Sequence, residues 1–171
     1  MFLNILYATL ISWGMHNFRF QNKGPKLKPF NEFVINLRNS QVSECLKALA
    51  GYSIDKFPEV KDNIKKLYSY LDPVRSKTKI VGRSKLLHFL FPNLIMPIDF
   101  RHTITFLQLP EPQWSTEIDA FLKIQEWASE FARDHKGKLE KLLDNEWNQT
   151  IPKVIDNLII YYCKKHHDKS R

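Results

Sequence analysis

Apolar positions recur with a helical period along most of the chain. After Pro29, residues Phe30, Phe33, Val34 and Leu37 follow the i, i+3, i+4, i+7 spacing of one helix face. Ser40 opens a second run with Val42, Cys45, Leu46 and Leu49 inward, and Gly51 supplies its C-terminal cap. Asp55 and Pro58 mark the start of a third, lined by Val60, Ile64, Leu67, Tyr68 and Leu71 and stopped at Pro73. A polar basic linker, "DPVRSKTK", leads into "IVGRSKLLHFLFP", where Ser84 is placed to cap a short apolar helix ending before Pro92. "NLIMP" predicts an extended connector, after which Asp99 caps "FRHTITFL". Beyond the proline-marked "LPEPQW", Thr116 and Asp119 have capping-box spacing ahead of a long helix through Phe121, Leu122, Ala128, Phe131 and Ala132. Gly137 predicts a break, with Leu139, Leu142, Leu143 and Trp147 continuing in register. Pro152 opens a last helix bearing Val154, Ile155, Leu158, Ile159 and Tyr162. The reading is all-α: one irregular bundle of eight or nine short helices spanning residues 1–171, with a frayed tail at 164–171.

Size and composition agree with one domain. The chain has 171 residues, 43% hydrophobic and 26% charged, an ordinary globular composition. Five glycines are too few for a chain of tight β-turns or a Gly-rich nucleotide loop. Cys45 and Cys163 belong to no CxxC pair, so neither a disulfide framework nor a zinc finger is expected, and both read as small buried hydrophobes. The opening "MFLNILYATLISWGMH" lacks a basic n-region and is broken by Asn4, Thr9 and Ser12, which favours a buried first helix over a signal or a membrane span. A cytoplasmic protein without membrane association or cofactor is the resulting expectation, and "NQT" at Asn148 reads as a chance match to a glycosylation acceptor.

Charge changes the picture more than composition does. The net charge is +8 and unevenly spread. Residues 1–30 carry +4, residues 75–102 carry +5 with Asp99 as their only acid, and residues 103–163 carry −4. Solubility needs no such asymmetry, whereas a face for phosphates does, so nucleic acid, DNA foremost, is the expected partner. Charges scattered around the fold remain the plain alternative.

The densest chemistry lies at 79–107, "KIVGRSKLLHFLFPNLIMPIDFRHTITFL". "IVGRSK" puts a glycine and donors at a helix start, where free N–H groups and the dipole bind phosphate. Lys77, Lys79, Gly82, Arg83, Ser84, Lys85 and Arg101 are the candidate nucleic-acid contacts, and a plain turn with a serine cap is the alternative for that segment. Asp99 is either an N-cap or ion-pair partner of Arg101, or a catalytic carboxylate in a positive groove. Lys85 is either a phosphate contact or an amine nucleophile. His88, at i+3 from Lys85, and His102, at i+3 from Asp99, join His16 as residues that would line a site, and their spacing with Asp99 matches no metal motif. Trp13, His16, Phe18 and Arg19 mix rings with cations, suited either to base stacking or, for Trp13, to the core.

Two resemblances attach to these residues. "WGMH" at 13–16 together with "VGRSKLLHFLFPNLIMPIDFRHTITFL" at 81–107 resembles a family of small prokaryotic proteins to which no activity is attached. Asn17 and Phe100 stand where that family more often has arginine. More distantly, "IVG" at 80–82 and "PID" at 97–99 are similar to the hairpin and catalytic aspartate of the helix-hairpin-helix DNA glycosylase superfamily. The match covers about a fifth of the chain. Ile80 replaces the first hairpin glycine, and the superfamily's nucleophilic lysine falls on Ser84, with Lys85 one place later. That resemblance implies a DNA grip through the Gly82 turn, a flipped nucleotide and Asp99 supporting glycosidic cleavage, or an inactive relative that only binds. A non-catalytic ribonucleoprotein or protein-interaction module is the competing reading.

Overall fold

The computed structural model describes residues 1–15, 27–75, 78–109 and 117–167. Among these the protein is all-α, with one isolated antiparallel bridge, Leu27 to Val74. Helix α1 (Phe2–Leu10) runs into a π-type turn at Ile11–Met15 that kinks at Trp13 and Gly14, where Gly14 takes φ +81°. Helices α2 (Phe30–Leu37), α3 (Ser40–Ala48) and α4 (Phe57–Tyr70) follow, then α5 (Ile80–Leu90). A second π-type turn, Phe100–Ile104, precedes α6 (Glu117–Asp134), α7 (Lys136–Glu140) and α8 (Ile151–His167). No helix among the described residues is long and apolar enough to cross a membrane.

Most positions of the helical stripes read from the sequence enter the core, while Phe30, Leu158 and Tyr162 are exposed. Phe33 and Leu37, Val60, Ile64, Leu67 and Tyr68, Phe121 and Ala128, and Val154, Ile155 and Ile159 all join one hydrophobic cluster. Gly51 sits past α3 at φ +84°, as expected of a residue ending a helix. Cys163 is buried and Cys45 half-buried, both as free thiols.

Three local expectations are corrected. The first break after α6 falls at His135, and Gly137 lies inside α7. Helical register is not regained afterwards, because the Asp144 carboxylate gathers the N–H groups of Glu146, Trp147 and Asn148 at 2.6–2.8 Å into a turn. Leu142, Leu143 and Trp147 are consequently exposed. The tail also starts later than expected, since residues 164–167 form the last turn of α8. The Thr116 half of the expected capping box lies outside the described residues.

Helix α5 begins earlier than its sequence suggests. Ser84 does not cap it. Lys79 precedes its first residue, and the cap comes from Glu117, whose Oε1 accepts from the N–H groups of Lys79 (2.5 Å) and Ile80 (2.7 Å). Gly82 is therefore a first-turn helical residue. Its missing side chain admits Val74: a Cβ on Gly82 would meet Val74 Cγ1 at 2.6 Å and Met15 Cε at 3.2 Å. Alanine at this site would gain about 1 kcal/mol of helix propensity but would overpack a β-branched neighbour with one preferred rotamer, at about 1–3 kcal/mol. Gly82→Ala is expected to lose on the order of 1 kcal/mol in urea denaturation. Adding Val74→Ala should cost less than the two single losses combined. Strict additivity would show that the close approach carries no energy.

Candidate functional site

The site is organised by a buried extended segment. Residues Leu94–Ile98 are fully covered yet belong to no sheet, so their backbone groups need side-chain partners. Ser84 Oγ accepts from Ile98 N–H (3.1 Å), and His88 Nδ1 lies 2.8 Å from the Ile95 carbonyl. Gln125 clamps Met96 from both sides, accepting from its N–H at 2.9 Å and donating to its carbonyl at 2.8 Å. Ser84 and His88, one turn apart on α5, thus fasten the connector that delivers Asp99.

Asp99 caps the turn it opens. Its Oδ1 accepts from His102 N–H (3.1 Å) and lies 3.0 Å from His102 Nδ1, while Thr103 Oγ1 accepts from Asp99 N–H (3.1 Å). The Asp99 side chain remains 41% exposed, so capping leaves much of the carboxylate accessible. Arg101, its expected alternative partner, is exposed on the same turn.

Groups from three distant segments meet at Trp13 and Asp156. Trp13 stacks near His88, with centroids 6.0 Å apart, and packs edge-on to Phe89 at 4.5 Å. The ammonium groups of Lys85 and Lys153 lie 5.7 and 5.1 Å from the Trp13 ring centroid. Lys85 Nζ also donates to the Trp13 carbonyl (3.2 Å). Lys153 Nζ pairs at 2.6 Å with Asp156, a buried carboxylate on α8. Burial raises the Asp156 pKa above its ordinary value. Lys153 counters that, the Asp99 charge adds to it, and Lys85 opposes it, so four charged groups share one neighbourhood. Cys163 Sγ donates to the His102 carbonyl at 3.5 Å, which ties α8 to the Asp99 turn.

Of the residues expected at a site, Lys85, His88, Asp99 and His102 converge here. Gly82 and Ser84 are buried packing and tethering residues of α5. At the α5 N-terminus, where a phosphate grip is expected, Glu117 already accepts from the N–H groups of Lys79 and Ile80. Arg83 donates through Nε to the Leu71 carbonyl (2.7 Å) and lies over the Tyr68 ring at 4.8 Å. Lys79 and Lys28 both bind Asp72. Burial works against that carboxyl's charge, but the hydrogen bonds from Lys28 and Lys79 outweigh it, and its pKa falls below the ordinary value. Arg75 pairs with Glu32 at 3.1 Å. Arg75, Lys79 and Arg83 are thus engaged by the fold, Arg75 at its surface, while Arg101 is exposed. His16, Phe18, Arg19 and Lys77 lie outside the described residues.

Lys153 and Asp156 were missed by sequence reasoning. Their signal is an acid within a mostly apolar run, "VIDNLII", with a lysine three residues before it. Among the described residues, no group of three or more His, Cys, Asp or Glu is arranged to hold a metal ion.

No known protein family, curated protein or solved structure matches the chain.

Proposed function

We propose that the chain binds nucleic acid and acts on the sugar of a damaged or abasic nucleotide, as base-excision enzymes do. The observation that carries this reading is that Lys85 and Lys153 meet at the Trp13 ring, while Asp156, paired with Lys153, feels the charges of both Asp99 and Lys85. An accessible carboxylate stabilises positive charge developing on a sugar ring when a base departs. The amine of Lys85, in the same charged neighbourhood, condenses with the aldehyde carbon of an opened abasic sugar: the nitrogen bonds to that carbon, and the carbonyl oxygen leaves as water. The net charge of +8 supports a polyanionic substrate. With the α5 N-terminus capped internally, backbone contact falls to exposed cations such as Arg101, Lys164 and Lys165.

The test compares a plain duplex with a matched abasic duplex by anisotropy across a salt series, followed by borohydride trapping. Tighter abasic binding and a covalent adduct that disappears in Lys85→Ala are the expected results. Asp99→Asn retains an N-cap oxygen, so it should bind normally while forming adduct at least about tenfold more slowly. No binding at low salt, or an adduct indifferent to Lys85→Ala, would overturn the reading.

A further inference from the structure

Six aromatic rings form a continuous ribbon leading away from the Asp99 turn. His135 and Phe131 have centroids 4.5 Å apart, Phe131 and Trp127 5.4 Å, and Trp127 and Phe106 5.8 Å. Phe106 then meets Tyr162 at 5.2 Å, and Tyr162 meets His166 at 4.4 Å. The rings come from α6 and the His135 break after it, from the residues just past the Phe100–Ile104 turn, and from α8. None of the six is fully buried, and Tyr162 is 47% exposed. Phe106, Trp127 and Phe131 rest on the core yet are left partly uncovered, and with the exposed Tyr162 and His166 they offer rings on which nucleobases stack irrespective of sequence.

Charge orients the occupant. On α8, exposed Lys165 is the residue next to His166, and exposed Arg101 lies on the turn beside that helix. The α6 side is mixed, with exposed Lys123 and Arg133 against exposed Glu130 and Asp134. A strand with its phosphates along α8 and Arg101 and its bases over the rings satisfies both sides. A duplex does not, because its base faces are already stacked on one another.

We propose that this ribbon is a docking track for single-stranded nucleic acid, feeding an unpaired nucleotide toward Asp99. The proposal deepens the nucleic-acid reading and rests on it, but it does not need chemistry at Lys85.

Fluorescein-labelled oligothymidylate of about 15 nucleotides and a duplex of equal length are titrated by anisotropy. The single strand should bind more tightly. Tyr162→Ala should weaken it roughly tenfold while Tyr162→Phe keeps the affinity, because the ring and not the hydroxyl does the stacking. Joint replacement of exposed Arg101 and Lys165 by Ala should lower the salt slope by about 1–2. Equal binding of the two forms, or an unchanged Tyr162→Ala with an unchanged slope, overturns the track. Abasic-site adduct formation without single-strand preference would sink the track and leave the catalytic reading intact. Tyr162-dependent strand binding without any adduct would do the reverse.

Discussion

Glu117→Ala is expected to lower the free energy of unfolding by about 3 kcal/mol. The Glu117 residue is 4% exposed, and its Oε1 receives both the Lys79 and the Ile80 N–H. Truncation leaves those two donors unmet, at about 1–3 kcal/mol each when buried, and removes a negative charge from the positive end of α5. Water entering the vacated space would recover part of the loss, which is why the expectation sits near the lower half of that sum. Glu117→Gln keeps an acceptor oxygen and should cost only about 1 kcal/mol. Urea denaturation at neutral pH reads both, with the m value unchanged in each variant. A Glu117→Ala loss below about 1 kcal/mol would show that the cap is not what starts the helix.

That cap also explains which parts of the structure were legible in the sequence. Helical period is a local property, so the stripes on α2, α4, α6 and α8 could be read directly. The Asp99 cap was equally legible, since donor and acceptor lie three residues apart. The α5 cap comes from 37 residues away and leaves no signal beside the helix it starts. Ser84 looked like the nearest capping residue, but its hydroxyl is committed to Ile98 across 14 residues. Three cations of the basic run at 75–102, Arg75, Lys79 and Arg83, have partners upstream of it in Glu32, Asp72 and the Leu71 carbonyl, which the run itself does not signal.

The candidate site divides in the same way. Lys85, His88, Asp99 and His102 lie within 18 residues of one another and could be grouped by helical spacing and composition. Lys153 and Asp156 reach them only because α8 packs against the Asp99 turn. Trp13 joins them through a kink at Gly14 that a helical reading of the first segment could not anticipate.

A pH series should expose the buried imidazole at the centre of this arrangement. Burial is the main force pushing the His88 pKa down, from 6.5 to about 4, helped by the nearby Lys153 charge and opposed by the hydrogen bond to Ile95. As the pH falls, the unfolded chain protonates at this residue first, between about 6.5 and 4, while the folded protein stays neutral there. The His88 contribution to stability is therefore intact above about 6.5 and declines toward 4, at up to about 1.4 kcal/mol per pH unit. Asp156 acts in the opposite sense. Its folded pKa is raised, so its contribution is present below the ordinary carboxylate range and is lost as the pH rises through the folded value. The wild-type curve contains both trends, and a variant separates them. In His88→Asn the amide nitrogen can take the place of Nδ1 at the Ile95 carbonyl, and the titrating group is gone. The variant should be less stable than wild type at pH 7 through its smaller side chain, and the gap should narrow steadily as the pH is lowered to 4. Urea midpoints collected at half-unit intervals would show the convergence. Two curves that stay parallel across the window would mean that His88 titrates normally and that its burial beside Trp13 carries no electrostatic cost.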